Sequence, residues 1–82
     1  MAIYQQCDLS FTRDDVEQHG TVRIEQTQAG GRTRYQAIVE GTPLHGTYGG
    51  FAESVELALD FLNLALQAEG ADAIHFACHP VT

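Results

Sequence analysis

The stretch FAESVELALDFLNLALQA, residues 51–68, decides how the rest of the chain can fold. Its polar residues Glu53, Glu56, Asp60, Asn63 and Gln67 recur at spacings of three and four, which stacks them in one row along an α-helix. Nearly everything else in it is apolar. A helix lying on one sheet needs an apolar stripe somewhat wider than ~100°, and this one is apolar over about twice that arc at ~100° per residue. Val55, Ala58, Leu62 and Ala65 form the centre of the stripe. Leu57, Phe61, Leu64 and Ala68 form one flank, and Leu59 and Leu66 the other. A single sheet layer cannot easily cover both flanks, so the helix supplies the core and has apolar surface to spare.

Working outward, residues 21–28 alternate with Val22 and Ile24 on one side, and residues 32–40 with Tyr35, Ala37 and Val39 inward. Gly30-Gly31 between them supplies the positive φ angles of a tight hairpin. A phosphate-loop reading of this glycine pair fails, because no helix follows and no Lys-Ser/Thr completes it. Residues 44–48 are expected to form a third, short strand with Leu44 and Tyr48 on one face, after a turn at Gly41-Thr42-Pro43. Residues 3–11 suit a strand carrying Ile3, Cys7, Leu9 and Phe11, with Gln5 breaking the pattern. Residues 12–20 are read either as a short helix ending at Gly20 or as a solvated loop. Ser54 is a candidate helix N-cap and Gly70 the candidate C′ residue. Ile74, Phe76 and Cys78 share a face of a last strand that Pro80 should stop.

The expected fold is therefore a single α+β domain over residues 1–82. It has a four- to five-stranded, mostly antiparallel sheet, built from the hairpin plus a third strand, with one long helix in the C-terminal half packed on one face and a short final strand. Four Lys and Arg against eleven Asp and Glu give a formal charge of −7. Such a surface repels phosphate backbones, so direct nucleic-acid binding is not expected, while a basic protein partner suits it. The opening MAIYQQCDL has neither the basic start nor the apolar run of an export signal, and the acidic row interrupts every long apolar run. A cytoplasmic protein without a membrane span is expected, with Cys7 and Cys78 as free thiols.

Chemistry-bearing residues are sparse. His19, His45, His75, His79, Cys7 and Cys78 are the candidate metal ligands, but His75 and His79 would stand ~13 Å apart on a strand, at ~3.3 Å per residue, and zinc wants closely paired ligands. Ser10 and Ser54 lack a nucleophile motif. No catalytic residue, metal or cofactor is expected, and a small enzyme or metal protein is the least favoured reading.

Three strands followed by a helix resemble the double-stranded RNA-binding domain. That family starts its final helix with lysines that meet phosphate, whereas residues 51–56, FAESVE, are acidic here. The resemblance therefore implies nothing about RNA. Tyr35, Ala37 and Val39, then Pro43, Gly46 and the helix from Glu53 to Leu66, resemble the strand, turn and helix of HicB-like antitoxins over roughly half the chain, without an appended DNA-binding segment. That resemblance implies a protein that neutralises a partner and catalyses nothing itself.

The expected function is a non-enzymatic, acidic interaction module. It would be an inhibitor or regulator of a larger protein or nucleic-acid-binding complex, such as a phage or mobile-element inhibitor of the anti-CRISPR kind, with an antitoxin-like or other dimeric regulator as the alternative. The expected contact residues are Leu57, Phe61 and Leu64 on the apolar flank and Glu53, Glu56 and Asp60 in the acidic row, with Asp14, Asp15 and Glu17 as candidate neighbours. The spare flank also leads us to expect a homodimer.

Overall fold

The computed structural model describes residues 2–79. Four strands form one antiparallel sheet: β1 (Ala2–Arg13), β2 (Val16–Ala29), β3 (Arg32–Glu40) and β4 (Asp72–His79), in the order β3-β2-β1-β4. One helix, α1 (Val55–Ala68), connects β3 to β4 and lies on a single face. The alternating residues of the first three strands meet beneath it. Cys7, Leu9, Phe11, Val22, Ile24, Ala37 and Val39 are all buried, against Ala58, Leu62 and Leu66 of the helix. The expected α+β architecture, with its hairpin, long helix and final strand, is the one observed.

Two hairpins build the three-stranded part. Gly30 and Gly31 have φ of 60° and 78°, and their turn is closed by the Ala29–Arg32 pair. This mirror-image turn matches the twist of the flanking strands. Asp14 and Asp15 adopt nearly the same geometry, with φ of 53° and 62°, between the paired residues Arg13 and Val16. Aspartate enters the left-handed region more readily than most residues because its short side chain bonds locally. Residues 12–20 are thus neither helix nor loop, but the end of β1, a turn and the start of β2. Gly20, expected to stop a helix, pairs with Leu9 in mid-strand, where any side chain would run into Thr42 and the Glu40 carbonyl.

The break in pattern at Gln5 is a β-bulge. The register slips between Ile3 and Gln5, leaving Tyr4 as the extra residue, and its ring meets Tyr35 edge-on at 5.0 Å between centroids.

The third strand expected over residues 44–48 is instead a series of turns. Leu44 is buried and Tyr48 is 61% exposed, so they do not share a face. Beyond the turns the chain runs back along the outer edge of β3, touching it through isolated bridges from Tyr48 to Ile38 and from Ala52 to Tyr35. The Tyr35 N–H donates to the Ala52 carbonyl at 2.7 Å, the Ala52 N–H returns the bond at 2.9 Å, and the Val39 N–H donates to the Thr47 carbonyl at 2.8 Å. This edge of the sheet is covered from Tyr35 to Val39. The outer edge of β4 has no strand beside it among the described residues.

Both expected helix boundaries hold. Ser54 Oγ accepts the Leu57 N–H at 3.1 Å, satisfying one of the donors a helix start leaves free. At the other end Gly70 takes φ of 88°, and the Gly70 and Ala71 N–H groups bond back to the Gln67 and Leu66 carbonyls. That paired pattern is the left-handed helix stop for which glycine is favoured. The expected strand stop at Pro80 lies outside the described residues.

The cysteines correct another expectation. Cys7 on β1 and Cys78 on β4 stand directly opposite each other, 3.8 Å apart at their Cα atoms, and are joined by a disulfide. Each was legible as sharing a strand face with apolar residues, Cys7 with Leu9 and Phe11 and Cys78 with Ile74 and Phe76. Their 71-residue separation hid the fact that the last strand docks beside the first. The expected free thiols are thus paired, and they give no sign of a reducing compartment.

Candidate functional site

The helix has three longitudinal zones. The line Ala58, Leu62 and Leu66 is fully buried. On the side toward β4, Leu59 is packed against the core, and Asn63 and Gln67 bond to each other at 2.8 Å beside an open groove of about 490 Å³ lined also by Asp72, Ala73 and Ile74. The opposite flank is the one left wet. Leu57 is 40% and Leu64 63% exposed, with half-buried Phe61 between them on the helix surface.

Asp60 follows Leu57 by three residues and precedes Leu64 by four, so it borders both. Glu56 continues the acidic row, and both carboxylates are exposed. Glu53, just before the helix, is paired with Arg32 at 3.3 Å, which ties the row's first acid to the β2–β3 turn. The structure does not bring Asp14, Asp15 or Glu17 to this row. They lie at the β1–β2 turn, whose Arg13 donates to the Glu69 carbonyl at the helix C-terminus, the end opposite Glu53.

Two exposed aromatics stand in the loop before the helix, and one of them, Tyr48, pairs with Ile38, which alternates with the helix-facing Ala37 and Val39 and lies on the other sheet face. Tyr48 and Phe51 are 61% and 49% exposed, and they bracket Gly49-Gly50. A Cβ on Gly49 would lie 2.6 Å from the Leu62 nitrogen, so this loop is pressed against the helix at Phe61 and Leu62. The signal available in the sequence was two aromatics around a glycine pair. Nothing in the spacing fixed which face of the sheet they would take.

The remaining polar face of the sheet holds local pairs. Arg23 bridges Glu25 at 3.0 Å and Glu40 at 2.8 Å, and His79 Nε2 lies 2.9 Å from Asp8 Oδ2. Ser10 stands across from His19 on β2 and His75 on β4, and His19 lies 2.6 Å from Glu17. Among the described residues no hydrogen bond joins Ser10 to either ring. The Glu17–His19 pair lies largely in solvent, at 68% and 69% side-chain exposure. No group of three or more His, Cys, Asp or Glu among the described residues is placed to hold a metal ion. No described helix is long and apolar enough to cross a membrane.

No protein-family model, curated protein or solved structure matches the chain.

Proposed function

We propose that this chain is a non-enzymatic interaction module that inhibits or regulates a larger protein by docking the Leu57–Phe61–Leu64 flank into it. The observation that carries the reading is that two leucines of a core-forming helix stand 40% and 63% exposed while the facing line is fully buried. Covering a Leu or Phe completely is worth ~1.5–3 kcal/mol, so a partner that buries this flank gains several such increments. Asp60 and Glu56 border the flank and call for Lys or Arg on the rim of the partner's groove. The same row weighs against a second copy of this chain, since a two-fold contact across the flank brings two acidic rows together. A cytoplasmic location remains part of the proposal; there, disulfides are usually transient or redox-responsive rather than permanent.

The test is affinity capture from the native host with the wild-type chain and with a Leu57→Asp/Leu64→Asp variant, quantified by mass spectrometry. Leu64 is 63% and Leu57 40% exposed, so the variant should stay folded, as a thermal melt checks, and lose the partner. Changing Glu53, Glu56 and Asp60 together to Gln should weaken capture and flatten its dependence on salt. A partner set unaffected by the leucine variant refutes the proposal. Sedimentation at micromolar concentration tests the homodimer, which the acidic rows should suppress at low ionic strength.

A further inference from the structure

The disulfide is a chemically reactive group that the helix flank leaves unexplained, and its two ends differ. Cys7 is 1% exposed in the core between Val22 and the last strand, whereas Cys78 is exposed at the sheet margin. The strand that bears Cys78 is held on one side only. It pairs with β1, its outer edge has no strand beside it among the described residues, and only Ile74 and Phe76 of its side chains are packed on the core. We infer that Cys78 is a thiol-exchange site, at which an external thiol forms a mixed disulfide with the edge strand, and that Cys7 is the internal thiol that later expels it.

Access decides which sulfur reacts, because exchange requires a thiolate to approach the disulfide along the S–S axis. Cys78 is an exposed residue on the edge strand, whereas Cys7 is 1% exposed and enclosed by the core, so an approaching thiolate meets the Cys78 side first. An external thiolate therefore forms a new S–S bond to Cys78 as the Cys7–Cys78 bond breaks, and the electron pair of the broken bond leaves on Cys7, which takes up a proton. No net oxidation occurs in this step. A second equivalent of the same thiol attacks the mixed disulfide, releasing the Cys78 thiol and an external disulfide, so two external thiols are oxidised as the protein disulfide is reduced. Alternatively Cys7, still directly opposite on β1, attacks Cys78, expels the external thiol and restores the starting bond. The edge strand is thereby locked or unlocked according to the thiols around it, and this conclusion does not depend on what the helix flank binds.

The experiment uses the oxidised, folded chain and reduced glutathione as the probe, with acid quenching and peptide mass spectrometry. The expected product is a glutathione adduct on Cys78 alone, formed at a rate that rises in proportion to glutathione concentration. An adduct on Cys7, or a rate that levels off at the rate of global unfolding, overturns the inference. Single-thiol variants provide an independent readout under conditions where circular dichroism shows them folded. In Cys7→Ser the remaining Cys78 should react with a chromogenic disulfide reagent, and in Cys78→Ser the remaining Cys7 should not. Equal reactivity of the two folded variants overturns the inference as well.

Discussion

Reducing the Cys7–Cys78 bond should lower the stability of the chain by an amount that follows from its position. The bond joins residues 71 apart, so it closes most of the chain into one loop. In the chain-entropy account, a loop of that length withholds about 4 kcal/mol of conformational freedom from the unfolded state. A domain of this size is stable by only about 4–12 kcal/mol, at roughly 0.05–0.15 kcal/mol per residue, so the bond contributes a large share of the whole. Each kcal/mol shifts the melting temperature of so small a domain by roughly 4–8 °C, which puts the expected drop at about 15–35 °C. Thermal unfolding followed by circular dichroism, with and without a phosphine reductant, measures it. A drop under about 5 °C would refute the reasoning, because the unfolded chain would then already be confined, or the folded chain would lose as much as it gains.

Three further changes probe the backbone. Gly49→Ala should cost about 1–3 kcal/mol in chemical denaturation, since the added methyl meets the Leu62 nitrogen at 2.6 Å and the Phe61 carbonyl carbon at 2.8 Å. Gly50→Ala, whose methyl would meet only Phe61 Cδ2 at 3.7 Å, should be close to neutral by the same assay. Ala73→Gly should raise stability by about 0.5–1 kcal/mol, because Ala73 holds φ of 50° without a polar side chain to offset it. Ser54→Ala should cost about 1 kcal/mol by removing the acceptor of the Leu57 N–H.

What could be read from the sequence was whatever local rules determine. The helix start at Ser54 and stop at Gly70 follow from capping chemistry within a few residues, and the Gly30-Gly31 hairpin from the φ angles it needs. The inward faces of β2 and β3 showed because Val22, Ile24, Ala37 and Val39 all lie beneath the helix. The Asp14-Asp15 turn was missed because its strands outrun the helix at that end. Val16 is 54% exposed, Glu17 and His19 are exposed, and with no core above them the residues do not alternate. The surplus of apolar helix surface was legible from the arc of the stripe, and the wet side turned out to be the flank of Leu57 and Leu64. The disulfide was not legible, because pairing β4 with β1 is a property of topology and leaves no mark near either cysteine.

The unequal edges of the sheet limit how copies of this chain can join by strand pairing. The segment that returns along β3 occupies that edge's hydrogen-bonding positions from Tyr35 to Val39, leaving β4 as the side with no strand beside it among the described residues. Two free edges on each molecule would allow head-to-tail growth, every new copy offering a fresh edge to the next. With a single free edge among the described residues, antiparallel β4–β4 pairing spends that edge of both partners at once. The outcome is a closed pair with one continuous eight-stranded sheet, and growth ends there. A molecule built this way carries its own chain terminator against fibre formation.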